Sequence, residues 1–257
     1  MLSVLDNLDD LVEILYKWFE DNYKHNELDT KKIFLKPNMG YPKPAPFTTS
    51  IDLIKSVVEV AQHLELKEII IGEGSTSYSS ALQNFKETGL RDALKKLEVT
   101  FIDLDEKESI SVKLSDGAIH YIPKFLSQID IKISMPVIKF YDDEEGNIFL
   151  SNAIKNFFGL PPKEKYQSTE NSYQRDRLHE DLHKSVAEIF LAVQKYATFD
   201  LHICDGINIL IGGAEEGEAK KWGKILIAND AIKADLKVLE LLNKPKPRFL
   251  EILLKNK

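Results

Sequence analysis

The sequence predicts an α/β fold: a mostly parallel sheet flanked by helices, with an inserted β-hairpin, in an arrangement that admits two lobes around a cleft. Three observations carry it. Short, continuously apolar segments at 33–35 and 68–71 suit strands buried on both faces. Between them Ile54, Val57, Val58, Ala61 and Leu64 repeat at helical spacing, so strand, helix and strand follow in the order of a parallel βαβ unit. Ser115-Asp116-Gly117 separates two alternating segments, 111–114 and 118–122, as a hairpin turn does.

Taken in order, Val4, Leu5, Leu8, Leu11, Val12, Leu15, Trp18 and Phe19 share one helical face, which predicts an opening amphipathic helix within 1–30. A proline-rich loop (Pro37, Pro42, Pro44, Pro46) follows the first strand, and Thr48 and Thr49 are placed to cap the next helix. Residues 80–97 read as helix broken at Gly89, 99–102 as a strand, and 129–135 as another. Residues 152–158 form a short helix stopped by Gly159 and Pro161-Pro162, and the polar stretch 163–177 reads as loop. Leu182, Val186, Ile189, Phe190 and Val193 make a strong helical face. Strands are expected at 201–204, 207–211 and 225–228, and helices at 231–242 and 247–254. Residues 31–242 then form one α/β domain with a candidate lobe boundary near 142–148, and 243–257 carry a C-terminal helix.

Composition narrows the function classes. A chain of 257 residues with 43% hydrophobic content and a net charge of only −7 is not intrinsically disordered. A pI near 5.5 disfavours a general nucleic-acid binder. One cysteine, Cys204, excludes an internal disulfide and a cysteine-ligated iron–sulfur cluster built by this chain alone; its apolar setting suits a buried thiol. No apolar run approaches bilayer length and no basic start precedes an apolar stretch, so a cytoplasmic protein without membrane partners is expected. Ile, Lys and Glu usage leans thermophilic.

Chemistry-bearing residues concentrate where strands end. Lys36-Pro37-Asn38 follows a strand directly, at the edge where open α/β sheets bind ligands, and an ammonium and an amide there suit a phosphate or carboxylate. The hydroxyls of Thr48 and Thr49 open the next helix toward the same anion; a surface lysine and a capped turn would explain these residues equally well. Gly72-Glu73-Gly74-Ser75 ends a second strand without Walker or dinucleotide spacing; Glu73 is a candidate acid or base and Ser75 a candidate ligand contact. Asn152, Lys155 and Asn156 fall on one side of a short helix anchored by Ile154, Phe157 and Phe158. His179-Glu180-Asp181-Leu182-His183 matches H-E-x-x-H, which on a helix would offer two histidines to zinc, although its charged context suits a solvated helix start better. Asp205, Asp230 and Asp235 are weak metal candidates, and plain helix capping explains Asp230 as well.

These landmarks, Lys36-Pro37-Asn38, Thr48-Thr49, Ile70-Ile71-Gly72-Glu73, Met135-Pro136-Val137-Ile138-Lys139, Lys155-Asn156-Phe157-Phe158-Gly159, Leu178-His179, Asp205-Gly206-Ile207 and Asp230 through Asp235, occur in the order that resembles the domain of unknown function 362 family. Its members are often fused to ferredoxin-type iron–sulfur modules, and the resemblance implies the same α/β fold. The family pattern after the proline is Pro-Lys-x-Lys-x-His; here Val137 and Tyr141 replace the first lysine and the histidine, and Lys139 remains. Glu215 and Glu216 alter the family's glycine-rich segment. More remotely the chain is similar to the lactate-racemase fold, a likeness of fold only.

Two function classes follow. In the first, Lys36, Asn38, Lys139, Lys155 and Asn156 position a small anion in a cleft, and Glu73, Lys139, His179 or Asp205 supply acid–base or metal chemistry. In the second, the chain is a non-catalytic adaptor or partner of a separate redox or iron–sulfur protein. A zinc hydrolase built on His179 and His183 is a lesser alternative. The cofactor is left open.

Overall fold

The computed structural model describes residues 1–75, 79–142, 146–169 and 175–255. The chain opens with a strand, β1 (Leu2–Leu5), before the first helix, α1 (Leu8–Asn22). Val4 and Leu5 therefore lie in a strand and not on the helical face. Asn7 decides the boundary: its side chain accepts from the Asp10 N–H at 2.9 Å, and Asp9 and Asp10 place negative charge in the first turn. The face of α1 that buries is Leu11, Leu15, Trp18 and Phe19.

The expected βαβ unit is present as β2 (Lys32–Pro37), α2 (Ile51–His63) and β3 (Glu68–Glu73), with β2 and β3 parallel in the register Phe34↔Ile70. Helices α3 (Ala81–Glu87) and α4 (Leu90–Ala93) flank Gly89, whose φ of 83° an L side chain rarely adopts. Strand β4 (Thr100–Asp103) follows, then the predicted hairpin, β5 (Ser109–Lys113) and β6 (Ile119–Pro123), standing as a separate two-stranded sheet. Strand β7 (Ile131–Met135) runs parallel to β2. Beyond Pro136 the chain continues as β8 (Val137–Asp142) and turns back as β9 (Ile148–Ser151), two strands the sequence analysis did not contain. The proposed boundary near 142–148 falls in the connection between them, part of it outside the described residues.

After the 3₁₀ turns at Lys155–Gly159, Lys163–Lys165 and Asp176–His179 comes α5 (Leu182–Tyr196). The segments 201–204 and 207–211 are one long strand, β10 (Leu201–Ile211), with a register shift between Gly206 and Asn208. It turns back as β11 (Glu218–Ala228); α6 (Ala231–Leu241) and α7 (Arg248–Lys255) follow.

The main sheet has the order β1-β11-β10-β7-β2-β3-β4, with β8 paired to β10 and β9. Pairs from β10 through β7, β2 and β3 to β4 are parallel, and β1–β11, β10–β11 and β8–β9 are antiparallel. The chain builds β2, β3 and β4 toward one edge, then returns to place β7 on the other side of β2. The gap between the carboxyl ends of β2 and β7 is thus a topological switch point, where open α/β sheets form crevices. Alternation along β2 sends Ile33 and Leu35 into the core under α1 and α2, and Phe34 into the core under α5 and α6. Burying one such Phe or Leu contributes about 1.5–3 kcal/mol. Lys36 follows Phe34 on the same face, at the point where that strand leaves the core.

Candidate functional site

At the switch point lies a small pocket of about 70 Å³. Lys36 comes from β2, Glu73 from the end of β3, Lys139 and Tyr141 from β8, and Ser151 from β9. Lys155, Asn156, Phe158 and Gly159 come from the following 3₁₀ turn, and Asn38, Gly40 and Tyr41 from the loop after β2.

Lys36 is buried and its Nζ donates to Glu73 Oε1 at 2.6 Å. Glu73 also accepts from the N–H groups of Met39 (3.1 Å) and Gly74 (2.9 Å), so the pair carries its own hydrogen-bond shell. Burial lowers the Lys36 pKa from the usual lysine value, and Glu73 opposes that shift. Behind Lys36, Asn156 Nδ2 donates to the Lys36 carbonyl (3.0 Å) and to Ser134 Oγ (2.9 Å), tying the 3₁₀ turn to β2 and β7.

Lys139 is anchored differently. Its Nζ donates to the Phe47 carbonyl at 2.6 Å, and burial lowers its pKa to about 8 against the pull of Glu215 and Glu73. Lys155 has no hydrogen-bond or ion-pair partner among the described residues. Its Nζ lies 3.1 Å from the centroid of the Phe158 ring, and its side chain lines the pocket. Burial first, then the charges of Arg175, Lys139 and Lys36, hold its pKa well below the ordinary lysine value.

The walls are closed by glycines that permit close approach. A Cβ on Gly159 would sit 2.4 Å from Glu73 Oε1 and 3.2 Å from Lys36 Nζ; one on Gly74 would meet the Gly159 carbonyl at 2.3 Å. Arg175 locks this wall from behind. It is 2% exposed, and its guanidinium donates to Asp105 Oδ1 (2.7 Å), the Ser75 carbonyl (3.0 Å) and the Gly159 carbonyl (3.3 Å). Nothing in the aperiodic polar stretch 163–177 signalled a buried arginine. Tyr141 was noted only as a replacement; a strand over 137–142 would have put it on the same side as Lys139. Burial pushes its phenol pKa upward.

Of the sequence candidates, Lys36, Asn38, Glu73, Lys139, Lys155 and Asn156 meet in this pocket. The others lie outside its lining. Thr48 and Thr49 do not cap α2, because both hydroxyls fasten loops: Thr48 Oγ1 donates to the Lys43 carbonyl, and Thr49 Oγ1 donates to the Met135 carbonyl while accepting from Asn38 N–H. Ser50 holds the N-cap position without a side-chain capping bond, and Asp205 Oδ2 from β10 accepts from its N–H at 2.7 Å; burial raises that carboxyl to about 6. Ser75 is buried beneath Arg175. Asn152 faces inward, not into the cleft: its amide donates to Asp235 Oδ1 at 2.9 Å. Asp235 also accepts from Ala153 and Ile154, and burial raises it to about 7.

Asp230 caps α6 by accepting from Lys233 N–H. The aspartates proposed for a metal are thus employed separately, and among the described residues no three His, Cys, Asp or Glu groups are placed to hold an ion. His179 and His183 do not share a helix face. Asp181 caps α5 by accepting from Lys184 N–H, so the helix begins at Leu182 and His179 stays in the preceding 3₁₀ turn. His183 is buried, and its Nδ1 accepts from Phe249 N–H. Cys204 is buried, and burial raises its thiol pKa well above the usual value, as its apolar setting implied.

A family model described as a domain of unknown function, DUF362, matches residues 33–240. The chain belongs to the DUF362 family. The pocket lies within the matched DUF362 region, including the Lys36, Lys139 and Lys155 landmarks. No curated protein matches the sequence. Among solved structures, the lactate racemase apoprotein from Thermoanaerobacterium thermosaccharolyticum is similar at a TM-score of 0.51 and 13% identity, over 94% of this chain and 56% of its own. A Thermotoga maritima protein is similar at 0.54 and 13%, over 97% of this chain and 59% of its own. The DUF362 chain thus spans little more than half of either, and at that identity the likeness is one of fold. No helix among the described residues is long and apolar enough to cross a membrane.

Proposed function

We propose that this DUF362 protein binds a small anion, a carboxylate or a phosphate, in the pocket between the carboxyl ends of β2 and β7. One observation carries the reading: three lysines, Lys36, Lys139 and Lys155, line the pocket against one carboxylate, Glu73. A bound anion would supply the missing negative charge and raise the depressed lysine pKa values toward their usual range. The size agrees: a water needs about 10–15 Å³, so a pocket of about 70 Å³ has room for a few waters or one small oxyanion.

The test is thermal denaturation of the full chain with inorganic phosphate, glycolate and acetate. Ligand at a hundred times its dissociation constant stabilises by about 2.7 kcal/mol. For a chain of this size that is a rise in Tm of roughly 5–10 °C. Lys139→Met should lose most of the rise while keeping a cooperative transition. A Tm indifferent to all three anions defeats the reading.

A further inference from the structure

The three pocket lysines are not equivalent. Lys36 is held by Glu73, and Lys139 by the Phe47 carbonyl. Lys155 alone of the three has neither restraint among the described residues; its amine rests on the Phe158 ring and opens onto the pocket. An amine in a desolvated site beside other cations is the setting that activates a lysine as a nucleophile toward carbonyl carbon. Lys36 and Lys139 line the same small pocket and bring cations to it for the carboxylate of whatever molecule presents that carbonyl.

We propose that the pocket takes a small 2-oxo acid, with Lys36 and Lys139 holding its carboxylate and the Lys155 amine condensing with its carbonyl carbon. The inference rests on the anion-pocket reading and names the substrate class of that site. The neutral amine attacks, a C–N bond forms, and the carbonyl π electrons move to oxygen, which takes a proton from the attacking nitrogen. The carbinolamine C–O bond then breaks, oxygen leaves as water with the second nitrogen-bound proton, and the nitrogen lone pair closes the C=N bond. One amine and one carbonyl give one imine and one water, and no co-reactant is consumed. Burial and the neighbouring cations keep a larger share of Lys155 neutral at pH 7 than of a solvated lysine.

The experiment traps the imine. The full chain is incubated with glyoxylate, the smallest 2-oxo acid, reduced with borohydride and mapped by peptide mass spectrometry. Exposed lysines such as Lys24, with a side chain 81% exposed, give the background. The expected result is one reduced adduct at Lys155, about tenfold or more above that background, since an amine unpaired among the described residues and facing the bound carbonyl reacts ahead of solvated, protonated lysines. Excess glycolate, which has the carboxylate but no carbonyl, should suppress it, and Lys155→Arg and Lys155→Met should both lose it.

Should either variant fail to fold, wild-type mapping with glycolate competition decides alone. Stabilisation by phosphate and glycolate with no enrichment at Lys155 overturns the condensation and leaves the anion pocket standing. Label enriched at Lys36 or Lys139 instead overturns the assignment of the nucleophile. No stabilisation by any anion and no enrichment overturn both.

Discussion

Replacing Glu73 by Gln removes the counter-charge of a buried ammonium while keeping its size. Glu73 Oε1 faces two donors, Lys36 Nζ and Gly74 N–H, and Oε2 faces a third, Met39 N–H. A glutamine must turn its NH₂ toward one side or the other, so at least one buried donor meets another donor. Breaking a buried pair from one end costs about 3–5 kcal/mol. At roughly 2–4 °C per kcal/mol for a chain of this length, Tm should fall by about 6–20 °C.

Lys36→Met should cost less, because Glu73 keeps two backbone donors. The loss in Glu73→Gln should also shrink as pH rises from 6 to 9. Without Glu73 the folded-state pKa of Lys36 drops further below its unfolded value, so the unfolded state holds more protons and stability climbs with pH. The assay is urea denaturation at both pH values, read as a shift in midpoint at constant slope. Glu59→Gln, which breaks the exposed Lys55–Glu59 pair, is the control at under about 1 kcal/mol. A Glu73→Gln cost no larger than the control's would refute the claim that this pair is buried and essential to the wall.

Gly159→Ala should destabilise by about 1–3 kcal/mol and abolish anion-induced stabilisation, since its Cβ would press on Glu73 and Lys36; unchanged anion response in thermal denaturation would place the binding elsewhere. Asp235 has a folded pKa of about 7, above its unfolded value near 3.8. Its stabilising contribution is therefore complete below the unfolded value and is lost as pH rises through 7, by about 1.4 kcal/mol between pH 6 and 8. Asp235→Asn should flatten that part of the stability profile in chemical denaturation. Asp181→Ala should cost about 1 kcal/mol through loss of the α5 cap, a loss that circular dichroism melts would miss only if the helix start were not where Asp181 puts it.

The parallel core was legible because its strands are buried on both faces, and a run such as Ile69-Ile70-Ile71 cannot be an amphipathic surface element. The edges were not. Leu2–Leu5 reads as helix because its apolar residues stay in phase with those of α1; only pairing with β11 makes it a strand. Val137–Asp142 hides behind Pro136, which looks like a terminator but is only the bend where β10 passes from β7 to β8 as its neighbour. The site shows the same division. Lys36 and Glu73 were found because each ends a strand in sequence. Arg175 was missed because its partners, Asp105 and the carbonyls of Ser75 and Gly159, are brought to it only by the fold. The His179 motif misled because local capping by Asp181 outweighs the regular spacing of its letters.

Strand β8 joins the sequence departures to the chemistry. Residues 137, 139 and 141 alternate onto one side of it, so the Lys-x-Lys-x-His of the family resemblance would send three basic groups the same way. In this chain Val137 is fully buried, Lys139 keeps its place, and Tyr141 stands where the histidine would be. A phenol whose pKa is raised by burial stays protonated at every ordinary pH, so Tyr141 can donate a hydrogen bond but cannot take up a proton as a histidine would. Against that resemblance, the pocket presents a phenol where the pattern has an imidazole, beside the lysines at 36, 139 and 155. Those lysines have lowered pKa values: Lys36 through burial, Lys139, brought to about 8 by burial, and Lys155, held well below the ordinary lysine value by burial and then by the cations around it. Under the proposed condensation the reacting group is an amine, so the Lys155 variants separate an anion-binding pocket from one that also forms an imine.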